Sequence, residues 1–221
     1  MRTDVIGIVL AGGQGRRLGL AAPAGGKGAL PFRGRSLLET VVATVGAETG
    51  RVLVVAAAGQ PLPAVPADVL VVRDTEPGAG PLAAVRDGLS AAARLEPRVA
   101  AAFVASCDLP LLRRDVVRTI LDRQRRSPAA WVVPVVDDRP QPLAAAWPLG
   151  LLPRIDRHLA QGRRDIRSLL EALADESAGA VEFCTAPLFA AADPELESFR
   201  DIDTPADVSW LRGRENPPSA G

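Results

Sequence analysis

Hydrophobic positions along the chain follow two rhythms that alternate. Short unbroken apolar runs, Val5–Leu10, Val52–Ala56, Val69–Val72 and Ala101–Ser106, are rich in β-branched and small side chains and too short for helices. They predict strands buried on both faces, as in a parallel sheet covered by helices. Between them, apolar residues recur at helical spacing. Leu37, Leu38, Val41, Val42 and Val45 form one such stripe, opened by Ser36 with Glu39 at the capping-box spacing and flanked at its end by Gly46 and Gly50. A second helix is predicted from Pro81 to about Leu95, with proline at a tolerated early position. A third spans Asp115 to Arg126, with Val116, Val117, Ile120 and Leu121 facing the sheet. Strand, helix, strand in repetition predicts an α/β fold.

The second half is less regular. Ala129 to Val135 reads as a strand, Asp137-Asp138-Arg139 as a polar turn, and Gln141 to Trp147 as a returning strand. Together they predict a hairpin or a mixed-sheet edge. Helices follow from Leu151 to about Gln161 and after Gly162, then a strand at Val181 to Phe183. Thr204-Pro205-Ala206-Asp207 predicts a final helix start, with Thr204 as cap and Asp207 at the third helical position. One domain over residues 1–212 and a disordered tail from Gly213 are expected.

Composition narrows the function more than the fold. The 26 basic and 26 acidic side chains cancel, so no overall field draws the chain to nucleic acid or an anionic membrane. Eight aromatic residues, five Phe and three Trp, are too few for a platform that stacks single-stranded bases. No run of 18 apolar residues occurs and no cleavage pattern follows Met1, so the expectation is a cytoplasmic protein that spans no membrane. Cys107 and Cys184 have no metal-ligand spacing and read as two buried thiols, and the single histidine, His158, reads as structural or solvated. The arginines of the third helix (Arg113, Arg114, Arg118, Arg123, Arg125, Arg126) read as a solvated face partly paired with Asp115 and Asp122.

Candidate chemistry concentrates where strands end. After Leu10 come Ala11, Gly12, Gly13, Gln14, Gly15, Arg16 and Arg17, and Lys27 follows further on. Adjacent glycines let the backbone turn tightly and approach a ligand, and free N–H groups beside Arg16, Arg17 and Lys27 suit a phosphate. The stretch matches neither GxxxxGK[ST] nor GxGxxG after a strand, and a glycine-rich surface loop explains the same residues. Asp108 ends the fourth predicted strand, where open α/β sheets bind ligands; beside a phosphate loop it is a candidate metal ligand, and alone it could equally cap a helix. Asp201 and Asp203, two apart in an extended segment, are a further carboxylate pair or two surface acids. Hard oxygen donors without His or Cys suit Mg²⁺.

Leu10-Ala11-Gly12-Gly13, then Arg16-Arg17-Leu18-Gly19, then Lys27 resembles the signature of nucleotidyltransferases similar to the molybdenum cofactor guanylyltransferase. Gly80-Pro81-Leu82-Ala83, Cys107-Asp108-Leu109-Pro110, Gln141-Pro142-Leu143 and Asp201-Ile202-Asp203-Thr204-Pro205 resemble later motifs of that family, so the likeness spans residues 5 to 210. Two departures stand out: Gly26 replaces the family's usual Asp before the lysine, and Leu20 to Gly25 lengthens the loop.

The resemblance implies a three-layer Rossmann-like nucleotidyltransferase fold, with a mostly parallel sheet and a small mixed-sheet extension. It implies that Leu10, Ala11, Gly12 and Gly13 hold base and ribose, that Arg17 and Lys27 hold phosphates, and that Asp74, Gly80, Pro81 and Leu82 complete the nucleotide site. Asp108 would hold a catalytic Mg²⁺, joined by Asp201 as the implied second ligand, with Asp203 as the alternative. Arg17, Lys27 and Asp108 are the implied catalytic residues. The implied reaction moves a nucleoside monophosphate, GMP from GTP in first place, to the phosphate of molybdopterin carrying molybdate. A cytidylyltransferase using CTP on the same cofactor, a nucleotidyltransferase for another phosphorylated metabolite, and a nucleotide-binding protein without activity remain alternatives. A monomer in transient contact with molybdoenzyme maturation proteins is expected, with no nucleic acid or membrane partner.

Overall fold

The computed structural model describes residues 4–12, 18, 23, 25–74, 76 and 78–214. Ten strands and six α-helices are described: β1 (Val5–Leu10), β2 (Pro31–Phe32), β3 (Arg35–Ser36), α1 (Leu37–Thr49), β4 (Val52–Ala56), β5 (Leu70–Arg73), α2 (Pro81–Leu95), β6 (Ala101–Ser106), α3 (Arg114–Arg126), β7 (Trp131–Val136), β8 (Arg139–Pro140), β9 (Ala144–Pro148), α4 (Leu152–Ala160), α5 (Ile166–Glu176), β10 (Val181–Thr185) and α6 (Pro205–Arg212). The main sheet runs β10-β7-β9-β6-β1-β4-β5, with β8 paired to β7, and β2 and β3 form a separate small sheet.

Strands β5, β4, β1 and β6 pair in parallel, as their two-sided burial requires. Successive residues of β1 leave on opposite faces: Val5 and Val9 enter a core with Val41 and Val45 of α1 and Val116 and Ile120 of α3. Ile6 and Ile8 enter the other core, with Leu82, Val85 and Leu89 of α2, Ile155 of α4 and Leu169 and Leu170 of α5. A central sheet between two helical layers results. A third, smaller cluster of Leu18, Leu30, Phe32, Leu37, Ile202, Val208 and Leu211 ties the segments around Lys27 and Asp203 to the start of α1.

Two expectations need correction. The strand predicted at Gln141 to Trp147 starts only at Ala144, because Pro142 cannot donate to a ladder and Gln141 N–H instead reaches Pro134 O at 2.8 Å. The two strands expected to pair here do so in the mixed part of the sheet, β7 and β9 running antiparallel with Val132 opposite Ala146. β7 turns into the two-residue β8 through Asp137 and Asp138, both at positive φ (48° and 57°), the backbone of a tight two-residue hairpin. β9 lies antiparallel between β6 and β7, pairing Ala101 with Pro148 and Ala105 with Ala144 on the β6 side. β5 also differs from a doubly buried strand: it is the sheet edge, and Leu70 and Val71 are exposed.

The local signals at helix starts hold. Ser36 and Glu39 form a reciprocal capping box, as do Thr204 and Asp207. Both cysteines are free and buried. No helix among the described residues is long and apolar enough to cross a membrane. Of the expected tail, Glu215 to Gly221 lie outside the described residues; Arg214 pairs with Glu197 at 2.7 Å and lies over the Trp210 ring.

Candidate active site

The ends of β1 and β6 are tied together before any side chain acts. Cys107 N–H donates to Leu10 O at 3.0 Å, and Ala11 N–H donates to Val55 O at 2.8 Å, so the chain leaves β1 between two parallel neighbours. Leu10 and Ala11 are buried and Gly12 is exposed. Gly13, Arg16 and Arg17 lie outside the described residues, whereas Leu18 is buried in the third cluster. Gln60, in the Pro- and Ala-rich segment after β4, donates from Nε2 to Ala11 O at 2.8 Å and accepts from Ala57 N–H at 3.2 Å. That staple carries no sequence signal.

Lys27 opens a single 3₁₀ turn, Lys27–Ala29, preceded by Gly26 at φ 72° and ψ −165°. This backbone region is accessible essentially to glycine alone. The Asp that the resembled family usually carries there would be strained in this chain, so glycine answers a demand of the backbone. The turn rests on β6, with Gly28 buried against Cys107 and Leu38.

Lys27 Nζ then donates to Asp108 Oδ2 at 2.9 Å and to Asp203 Oδ1. The three side chains are only 16%, 14% and 23% exposed. Asp108 stands just beyond β6, and Asp203 just before α6. The segments are joined by Ile202 N–H donating to Asp108 O at 3.0 Å, while Ile202 itself is buried. Below Asp203, Thr204 and Asp207 fix the helix start. Burial raises the Asp207 pKa, but hydrogen bonds from Thr204 and the nearby Arg200 outweigh it and hold the carboxyl below its usual value.

The two carboxylates bring hard oxygen donors together in a half-desolvated position at the strand ends. Among the described residues no group of three His, Cys, Asp or Glu side chains converges as a metal cage. Two hard oxygen donors fit Mg²⁺, which keeps waters and takes phosphate oxygens for the rest of its shell. The neighbouring Cys107 cannot substitute as a ligand or nucleophile. Burial, and then the charge of Asp108, push its thiol far up from the ordinary value, so it stays protonated.

The other sequence-predicted residues fall around this centre. Asp74 follows β5, with its N–H on Ala56 O at 2.9 Å and its Oδ1 accepting from Glu76 N–H at 2.8 Å. Gly80 caps α2 at φ 89° and ψ 174°, Pro81 is its first residue, and Leu82 is fully buried. No side chain caps this helix, so its first N–H groups stay open to a polar ligand. Asp201 is exposed and lines a separate cleft with Arg139, Gln141, Arg200 and Trp210. Of the two acids weighed from sequence, Asp203 is the one that meets Lys27.

Residues 7–177 match the MobA-like NTP transferase domain. The chain belongs to the MobA-like NTP transferase family. A probable molybdenum cofactor guanylyltransferase of Mycobacterium tuberculosis is 39% identical over 168 residues, covering 75% of this chain and 79% of that protein. The solved structure of molybdopterin-guanine dinucleotide biosynthesis protein A from Archaeoglobus fulgidus shares the fold, with a TM-score of 0.72 and 23% identity over 93% of this chain and 96% of that one. So does 2-C-methyl-D-erythritol 4-phosphate cytidylyltransferase from Thermus thermophilus, at a TM-score of 0.64 and 21% identity over 94% and 97% of the two chains. As a MobA-like NTP transferase the protein is a nucleotidyltransferase of the molybdenum cofactor guanylyltransferase-like kind.

Proposed function

We propose that the protein transfers GMP from GTP to the terminal phosphate of the molybdopterin cofactor carrying molybdenum, releasing pyrophosphate. The observation that carries this reading is the Lys27 ammonium set between Asp108 and Asp203, at the carboxyl ends of the strands where the glycine loop begins. The guanine and the acceptor are supported by the name borne by the mycobacterial relative.

In this reading Leu10 to Gly13 and the open start of α2 at Gly80, Pro81 and Leu82 cradle the nucleotide, with Asp74 at the neighbouring strand end. An oxygen of the acceptor phosphate attacks the α-phosphorus of GTP. A new P–O bond forms as the α–β anhydride bond breaks, and its electron pair leaves with pyrophosphate. The acceptor is already anionic, so no protein base is needed, consistent with a centre built from one lysine and two carboxylates. Lys27, with Arg17, offsets the charge that grows on the phosphoryl oxygens, and positioning does the rest. Asp108 and Asp203, rather than Asp201, would hold Mg²⁺, which when bound supplies positive charge beside the triphosphate.

The test is pyrophosphate release with Mg²⁺, molybdopterin and each of GTP, CTP, UTP and ATP, in parallel on Asp108→Ala. Turnover with GTP that drops by about 10²–10³-fold in the variant is expected, the scale for removing a group that stabilises transition-state charge. Turnover with CTP alone would move the protein to cytidylyl transfer. No turnover with any nucleotide would overturn the reading.

A further inference from the structure

The connection between α4 and α5 contains a polar clamp that the transfer reaction leaves unused. α4 closes with a two-bond turn: Gly162 N–H donates to Leu159 O at 2.8 Å, and Arg163 N–H to His158 O at 3.2 Å. α5 opens at Asp165, whose carboxylate accepts from Ser168 N–H and from Ser168 Oγ, both at 2.7 Å. His158, only 5% exposed, brings Nε2 to 2.8 Å from the same Ser168 Oγ.

The direction of each bond follows from what the groups can donate. Hydrogen bonds from Ser168 hold Asp165 below its usual pKa, so its carboxylate is ionised and accepts only. The one hydroxyl proton of Ser168 therefore goes to Asp165, and Ser168 Oγ accepts from His158 Nε2–H. A chain of donors runs from α4 through α5 to the connection itself.

The connection presses on the start of α2. A Cβ built on Gly80 would lie 3.1 Å from Arg164 O and 3.6 Å from Arg164 Cβ. No ion pair among the described residues pins the two arginines of the connection there. Arg163 and Arg164 are exposed and form no ion pair with any described residue, whereas Arg154 pairs with Glu176 and Arg167 with Glu171. What holds the bridge is its backbone turn and the His158 clamp.

We propose that His158 is a positioning residue for the nucleotide site, acting through Ser168 and Asp165 to hold residues 161–165 against Gly80 and fix the backbone that opens α2. This rests on the reading of Gly80 to Leu82 as nucleotide contacts. The clamp touches neither Lys27 nor Asp108, so its loss acts on binding and spares the chemical step.

Calorimetric titration of the intact protein with GTP and with CTP in Mg²⁺, together with KM and kcat, tests this on wild type, His158→Leu, His158→Gln and Ser168→Ala. His158→Leu keeps the bulk and removes the donor. It should weaken nucleotide binding and raise KM roughly 10-fold, the worth of one buried hydrogen bond, with kcat within about 2-fold. His158→Gln, which restores an N–H near the Nε2 position, should recover most of the affinity. Ser168→Ala should resemble His158→Leu and decides the matter if the latter does not fold. Wild-type affinity in Ser168→Ala, or a His158→Gln variant as weak as His158→Leu, would overturn the proposal. Wild type that binds nucleotide without transferring it would instead overturn the transfer reaction and leave the clamp standing; wild type that binds no nucleotide would overturn both.

Discussion

Two charged regions of this protein use the same side chains to opposite ends. On α3, Arg118 meets Glu48 and Asp115, Arg114 meets Glu48, and Arg125 meets Asp122 and Asp4. Arg114 and Arg118 are about half exposed; the Glu48 they share is 9% exposed, while the Arg118–Asp115 and Arg125–Asp122 pairs are one helical turn apart with both carboxylates exposed. Around Lys27, one cation meets carboxylates 81 and 176 residues away in sequence, and all three groups are mostly withdrawn from water. Exposed pairs such as Arg118–Asp115 and Arg125–Asp122 are screened and interchangeable, worth about 0–1 kcal/mol each. A half-buried cluster drawn from three distant segments has no such slack. The contrast separates charges that keep a surface wet from charges held ready for a ligand.

Breaking the centre gives the largest expected effect after loss of Asp108. Lys27→Met should lower kcat/KM about 10²-fold, because the ammonium that offsets transition-state charge is gone and two carboxylates are left facing each other. Steady-state pyrophosphate release measures it, with thermal melting to confirm the fold. The pair Asp203→Asn and Asp201→Asn sharpens the comparison within one loop. The first should cost roughly 10-fold in kcat/KM and raise the Mg²⁺ needed for half-maximal rate, while the second stays within about 2-fold. Equal losses from both would place the metal on the Asp201 side. The smallest effect is expected on α3. Asp115→Asn, which removes only the exposed carboxylate paired with Arg118, should change the unfolding free energy by no more than about 1 kcal/mol and leave kcat/KM unaltered, as denaturant titration and the rate assay would show.

What could be read from the residues follows a physical boundary between local and distant causes. Capping boxes at Ser36 and Thr204 and the apolar runs of β1, β4 and β6 depend on neighbours a few positions away, and all are found in place. Asp108 could be singled out because a strand end announces itself locally. The residues favour Asp201 over Asp203, whereas it is Asp203 that meets Lys27; which of the two faces the centre depends on Ile202 filling a cluster with Leu18, Phe32 and Val208 and on its bond to Asp108 O. Gln60 was invisible for the same reason: its partner is a carbonyl 49 residues earlier. β9 is expected beside β7 and lies there, but the residues put its start three positions early because Pro142 hides where pairing begins, and its second neighbour β6 carries no local signal. Gly26 looked like the loss of an acid; its backbone angles show that any side chain there would be strained.

The three tryptophans divide in a way that offers an optical handle. Trp131 and Trp147 are fully buried, with ring centroids 3.9 Å apart, inside the core behind the sheet. Trp210 is only partly covered and sits on α6 between the guanidinium groups of Arg200 and Arg214, at 3.7 and 3.9 Å from its ring. From these environments the buried pair is expected to emit at shorter wavelength than the partly solvated indole, which should supply the red edge of the spectrum. Because α6 begins two residues after Asp203, excitation at that red edge turns one native side chain into an unlabelled probe of the carboxylate-bearing end of the site.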